Sequence, residues 1–427
     1  MTVSQLTLLR RHLDYLQQAS PYYRELFRQH NFSPADLISL QDLSQLPLTG
    51  KGDLAKYNRN FLAVAEGQVV DICQTSGTTG EPVTLWQTES DLQRLSRNEQ
   101  LALVAAGITR SDRVLIGAAL DRVFIAGLAY FLGLRRIGAT TIRAGSGQPA
   151  LVAELICRQR PNVLVGVPSL LLMVARHLQQ SGEAPEKLGI DKLICIGEPI
   201  RNEDLTTSLL GQALQESWAA QLFGTYASTE IATAFTDCPM GCGGHLLPEL
   251  AVAEIIDDQG NPVGSGVAGE VVVTPLGVEG TPLLRYRTGD IAQLHLDPCD
   301  CGRQTPRLGP ILGRRAQMLK CRGTTLFPAA ISRALEGISA VRGHYLEVSS
   351  AFDLSDQLKL VVGCADPSLS SITVSELIVA KTRVKPEVVL VTPEEIRKKT
   401  IRPELRKPIT FFDYRKSNQE PGQNEYE

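Results

Sequence analysis

Residues 75–80 read Thr-Ser-Gly-Thr-Thr-Gly and are followed by Glu81-Pro82. Gly77 and Gly80 let the backbone turn tightly and bring its N–H groups near an anion, and the hydroxyls of Thr75, Ser76, Thr78 and Thr79 add donors that wrap phosphate oxygens. The run reads as a phosphate loop, with a plain surface turn as the alternative until other residues decide. It is not a Walker loop, because the nearby Gly50-Lys51 lacks both the upstream glycine and the following hydroxyl residue. A second group with chemical capacity lies downstream. Cys238-x3-Cys242-x2-His245 and Cys299-Asp300-Cys301 supply five soft or borderline donors, where a structural zinc ion takes four.

Three further segments follow the loop in order: Tyr226-Ala227-Ser228-Thr229-Glu230, Tyr286-Arg287-Thr288-Gly289-Asp290, and Gly313-Arg314 leading into Arg322-Gly323. Together with residues 75–80 this series resembles the adenylate-forming superfamily of acyl-CoA synthetases over essentially the whole chain. Within it the likeness is to the phenylacetate-CoA ligase type, carried by Leu46-Pro47-Leu48-Thr49-Gly50-Lys51, Gly197-Glu198-Pro199 and the stretch from Arg322-Gly323 to Phe327-Pro328.

That resemblance implies an ATP-dependent acid-CoA ligase, which joins a carboxylate to ATP with release of pyrophosphate and then passes the acyl group from AMP to coenzyme A. Negative charge builds on the α-phosphate as the carboxylate attacks, so donors and a cation belong there beforehand. By resemblance Thr229 donates to the α-phosphate and Glu230 holds Mg²⁺, a hard ion that favours oxygen ligands. Asp290 takes the ribose hydroxyls, Arg314 is a second ribose or phosphate contact, and Tyr226 stacks on adenine. The same resemblance assigns Glu198, Pro199, Ala227 and Ser228 to the nucleotide site.

Lys407 is implied as the catalytic lysine of the closing tail, although Arg406 stands where the family has glycine; Lys399 is the alternative. Arg315-Ala316-Gln317 occupies the place of the family's acidic hinge. The resemblance selects Cys238, His245, Cys299 and Cys301 as zinc ligands, with Cys242 the spare. It also implies an acid pocket around residues 124–127, 165–168, 197–199 and 223–227, suited to an aromatic acid, and suggests a homodimer. Two other readings are transfer of the acyl group to an amine or carrier protein, and a nucleotide-binding relative without catalysis.

These residues need a scaffold. At 427 residues the chain exceeds one ordinary core, so two domains are expected: residues 1–313 binding ATP and acid, and residues 314–427 as a small mobile domain. A net charge of −3 argues against nucleic acid as a partner. No apolar run approaches the roughly 20 residues of a membrane span, and no signal-peptide pattern opens the chain, so a cytoplasmic protein is expected. Nine cysteines, an odd number, fit thiols and metal ligands better than a disulfide framework.

Leu6, Leu9, Leu13 and Leu16 recur at helical spacing, and Ser33-Pro34 reads as a helix start. Apolar runs at 113–118, 140–143, 162–167 and 192–196 alternate with helical stretches at 150–158 and 169–180, which predicts parallel strands with crossover helices. Strand-like segments after residue 245, at 250–256 and 270–274, predict an antiparallel β subdomain. A helix at 328–335 and strands at 345–348, 358–363 and 388–391 predict a small C-terminal α+β domain, so the fold class is α/β with parallel sheets, an antiparallel β part and that second domain.

Overall fold

Ser4 starts the first helix, Gln5–Ala19, by accepting the Thr7 N–H on its side chain. Leu9, Leu13 and Leu16 fall on its buried face, as their spacing predicts. Ser20 ends that helix and caps the next, Pro21–Gln29, where proline takes the first position, at which a missing N–H costs nothing. Ser33-Pro34 opens only a short 3₁₀ turn, Pro34–Asp36.

The computed structural model describes residues 4–75, 83–321, 324–351, 355–366, 368–401 and 408–415. It divides into two compact units, Met1–Ile311 and Leu312–Glu427. Among the described residues no helix is long and apolar enough to cross a membrane.

The first unit is built on one long mixed sheet. Its parallel part runs, in spatial order, Thr140–Arg143, Arg113–Gly117, Val163–Gly166, Lys192–Ile196 and Gln221–Ser228. Helices Ile125–Ile137, Pro149–Gln159, Pro168–Gln180 and Leu209–Trp218 connect these strands, and separate apolar clusters pack on the sheet, one around Val165 and Phe223 and another around Leu164 and Trp218. Near-continuous Val, Ile and Leu in the buried strands is what burial on both faces requires. Helix Glu89–Ala105 lies so close to Ile125–Ile137 that a Cβ on Gly133 would sit 2.4 Å from Glu99 Cβ.

Antiparallel pairing begins earlier than the expected residue 245. Gln221–Ser228 turns back at residues 229–232 and pairs with Thr233–Asp237, Tyr226 opposite Phe235. The sheet then continues through Gly244–His245, Arg307–Leu308, Tyr286–His295, Ala268–Pro275 and Ala251–Ile256. The N-terminal helices pack against this antiparallel part, with Leu13, Tyr23 and Phe27 in one cluster with Val273 and Leu284.

In the second unit Val341–Ala351 pairs antiparallel with Ser355–Cys364, and Glu387–Val391 and Phe411–Asp413 add parallel strands on either side. Helices Pro328–Leu335 and Ser371–Thr382 cover the sheet, burying Ile331, Val374 and Ile378 with Leu346 and Leu360.

Candidate active site and a cysteine–histidine cluster

The parallel strands end in register: Gly117 pairs with Gly166, and Gly166 with Cys195. Their carboxyl ends therefore open on one edge, the edge where open α/β sheets bind ligands. Residues 165–166 and 223–227 lie toward the carboxyl ends of their own strands, and 167–168 and 197–199 leave the sheet at that edge. Glu198 is engaged in this edge: Ser169 donates from its backbone N–H and from Oγ to the two carboxylate oxygens, both at 2.9 Å. A carboxylate at the amino end of helix Pro168–Gln180 also complements the helix dipole, and that helix has no side-chain cap of its own.

Thr229 and Glu230 occupy the turn between Gln221–Ser228 and Thr233–Asp237, half-exposed. They form a hairpin tip. Ser228 Oγ, just before the tip, is buried with no hydrogen-bond partner among the described residues. An unpaired buried hydroxyl is costly, so an oxyanion-rich ligand suits it.

Asp290 reaches the same region by a different device. Glu270 pairs with Ile291 and Val272 with Arg287, so Val271 alone faces Thr288, Gly289 and Asp290. Such an excursion re-aims a strand side chain. Gly289 sits at φ +77°, open to glycine without strain, and Thr288 Oγ1 closes the bulge by donating to Val271 O at 2.9 Å. The Tyr226 hydroxyl donates to Asp290 Oδ2 at 2.9 Å, and the Tyr286 hydroxyl to Glu230 Oε1 at 3.4 Å. Burial and the Asp290 charge push the Tyr226 phenol well above its ordinary value, so it stays a donor.

Behind the hairpin tip stands helix Glu89–Ala105. Buried Arg94 donates to Leu276 O, Ala232 O and Leu250 O, each at 2.6 Å, and to Thr233 Oγ1 at 3.2 Å. Asn98 Oδ1 accepts the Ala234 N–H at 3.3 Å. Arg285, also buried, forms a two-pronged ion pair with Glu254 at 3.0 Å and donates to the Ser44 and Leu46 carbonyls. It thereby ties the Leu46–Lys51 stretch to the strand carrying Asp290. Sequence reasoning missed Arg94, Asn98 and Arg285 as supports and Tyr286 as a partner of Glu230.

The cysteines and histidine converge. One donor atom each from Cys238, His245, Cys299 and Cys301 lies within 4.8 Å of all the others. Cys238 Sγ is 3.6 Å from Cys299 Sγ, and Cys301 Sγ is 3.5 Å from His245 Nε2. Tetrahedral bonds of about 2.3 Å to sulfur and about 2.0 Å to nitrogen place such pairs about 3.5–3.8 Å apart, so the donor set fits a zinc ion. Thr305 Oγ1 meets His245 Nδ1 at 2.9 Å and fixes the ring with Nε2 inward. Burial, with Arg303 and Arg307 nearby, lowers His245 to about 4, leaving the neutral imidazole a metal prefers. Cys242 Sγ is 3.4 Å from Cys299 Sγ but outside the set of four.

Of the other expected site residues, Thr75 closes the base of the Asp71–Gln74 and Thr84–Gln87 hairpin, its Oγ1 accepting the Val83 N–H at 3.1 Å. Ser76, Gly77, Thr78, Thr79, Gly80, Arg322, Gly323 and Lys407 lie outside the described residues. Arg314 is exposed on the short strand Gly313–Arg314 in the second unit. There Arg415 donates to Met318 O at 2.8 Å and pairs with Asp356 and Asp413, joining the 316–318 segment to the closing strand. Lys399 Nζ lies 5.2 Å from the centre of the Phe412 ring.

A doubly covered parallel sheet with hydroxyl and carboxylate groups gathered at its carboxyl edge defines a nucleotide-binding α/β enzyme. The chain matches the AMP-binding enzyme family over residues 31–278 and belongs to it. Within the adenylate-forming superfamily it is phenylacetate-CoA ligase-like. It is 30% identical over 364 residues to a phenylacetate-coenzyme A ligase of Thermus thermophilus, covering 84% of this chain and 80% of that protein. Identity is 31% over 346 residues with the phenylacetate-coenzyme A ligase of Pseudomonas putida, at 80% and 76% coverage. The fold matches the crystal structure of a 2-hydroxyisobutyryl-CoA ligase in complex with R3-HIB-AMP, with TM-score 0.84 and 21% identity over 96% of this chain and 88% of that one.

Proposed function

We propose that this protein is an ATP-dependent carboxylic acid–CoA ligase that forms an acyl-AMP with release of pyrophosphate and then an acyl-CoA. The observation that carries this reading is that Glu230 and Asp290 both lie near Tyr226, each hydrogen-bonded by a tyrosine, with the Ser228 hydroxyl buried and without a hydrogen-bond partner among the described residues. Asp290 holds the ribose hydroxyls, since a carboxylate offers two acceptors. Thr229 and Ser228 donate to the α-phosphate, where charge develops. Glu230 supplies the oxygen ligand for Mg²⁺, whose chemistry is to offset negative charge on the phosphates. Lys407, carried by the second unit, neutralises the oxygens that bridge acid and phosphate, and residues 76–80 hold the departing phosphates. The cysteine–histidine cluster holds a structural zinc.

The acid is aromatic in this reading, by analogy with the phenylacetate ligases and with the small and apolar residues of the 124–127 and 165–168 segments. Pyrophosphate release measured over a panel of arylacetic, benzoic and short aliphatic acids, with thioester formation in the presence of coenzyme A, tests it. An arylacetic acid is expected to turn over best. Failure of every acid in the panel to release pyrophosphate rejects the ligase assignment, and release without any thioester rejects coenzyme A as acceptor. Lys407→Ala is expected to lower pyrophosphate release by roughly 10²–10³, the scale of losing one preorganised charge contact.

A further inference from the structure

The two motif strands share a spacing, Tyr226 to Glu230 and Tyr286 to Asp290, four residues in each case. At about 3.3 Å per residue an extended strand separates such a pair by about 13 Å, beyond hydrogen-bond reach. Neither tyrosine is drawn to its own acid. The bulge at residues 288–290 and the hairpin turn at 229–232 bend the two acids out of line, and the hydroxyls cross: Tyr226 to Asp290 and Tyr286 to Glu230. The two strands are not sheet neighbours, since Thr233–Asp237, Gly244–His245 and Arg307–Leu308 lie between them in the order.

We infer that Tyr226 and Tyr286 are reciprocal positioning residues: Tyr286 sets the Glu230 carboxylate for the metal, and Tyr226 sets the Asp290 carboxylate for the ribose. A hydrogen bond to an ionised carboxylate is stronger than one between neutral groups and has a preferred direction, so it selects one rotamer of the acid before a ligand arrives. Tyr286 is 2% exposed and Asp290 8%, so one partner of each bond is shielded from water. Because each motif supplies the anchor for the other motif's acid, displacing one strand disturbs both ligand contacts.

This inference rests on the roles proposed above for Glu230 and Asp290, and the experiment separates the two. In the full-length protein, Mn²⁺ binding in the presence of ATP is followed by electron paramagnetic resonance, and AMP binding without divalent ions by calorimetry. Tyr286→Phe is expected to weaken Mn²⁺ binding about five- to tenfold with AMP binding within about twofold; Tyr226→Phe is expected to do the reverse. Such factors correspond to the loss of one charge-assisted hydrogen bond. General damage to the fold would shift both ligands in both variants, and that result overturns the inference. Glu230→Gln and Asp290→Asn are the reference variants. If they lose Mn²⁺ and AMP respectively while the tyrosine variants lose neither, the positioning roles fail and the acid roles stand. If the acid variants bind as the parent does, the roles of Glu230 and Asp290 fail, and the inference with them.

Discussion

The short strand Thr233–Asp237 ends in two unlike places. Upstream it runs out of the turn that carries Thr229 and Glu230, groups left half-exposed so that a ligand can reach them. Downstream it runs into Cys238 and the cysteine–histidine cluster, preceded by Asp237, which is 3% exposed and accepts from Arg201 Nε and the Gly224 N–H at 3.0 Å each. The downstream end satisfies its own groups. The upstream end is held from behind, by Arg94 and Asn98, and keeps its front face polar. One strand of five residues is therefore anchored at one end and chemically available at the other, and the anchor and the support behind the turn should break in different ways.

The largest effect is expected from the support. Arg94→Ala removes the donor from the buried Leu276 and Leu250 carbonyls and the half-buried Ala232 carbonyl, and opens a cavity beside Leu95 and Thr233. Stranding buried polar groups of this kind costs about 3–5 kcal/mol. Thermal unfolding should show it, and pyrophosphate release should fall with it even at temperatures where the variant is folded, because the turn bearing Glu230 loses its backing. A variant folded and fully active at low temperature would show that the turn holds itself.

The anchor should behave otherwise. Cys238→Ser is expected to lower zinc from about one per chain to well below that, measured by elemental analysis after purification without chelators. The melting temperature should fall by roughly 5–10 °C, as loss of a structural metal site implies for a domain of this size. Adenylation should stay within about threefold of the parent at permissive temperature. A parent protein without zinc removes the metal from this picture, and a collapse of adenylation without loss of stability would make the cluster part of the catalytic site.

How much of this contrast could be read from residues alone depends on whether partners lie close in the chain. The parallel strands and their helices follow from alternating apolar runs, and they lie where the runs fall. The cysteine and histidine donors in two short loops were visible as a candidate set because soft donors cluster in few ways. Tyr286 meeting Glu230 was not visible, since the contact joins positions 56 residues apart across three intervening strands. Gly289 was the one hint of the bulge that turns Asp290 toward Tyr226. Arg94 is a clearer miss. Asp91, Arg94 and Asn98 recur at helical spacing and are all buried, so the polar stripe of that helix faces inward. Its carbonyl partners lie 138 to 182 positions away, and a polar stripe on a helix otherwise reads as its solvent face.

The smallest effect tests the same helix one residue beyond Asn98. Glu99 is buried, and its Oε2 has no hydrogen-bond partner among the described residues, while Oε1 accepts from Asn98 at 3.1 Å. Burial raises its carboxyl from 4.5 to about 7, against the Asn98 hydrogen bond. The folded protein therefore keeps this proton over a range where the unfolded chain has lost it. With more protons bound in the folded state, stability declines as pH rises from about 4.5 to about 7, and the deficit persists above. Glu99→Gln cannot ionise, so it should match the parent near pH 5 and exceed it at pH 8 by about 1–3 kcal/mol. Unfolding curves from pH 5 to 8.5 check this, and a parent-like pH dependence in the variant would assign the titration elsewhere. Because Glu99 touches neither Glu230 nor the cysteine–histidine cluster, its substitution should leave zinc content and pyrophosphate release unchanged. Stability of the scaffold behind the turn would then separate from the chemistry in front of it.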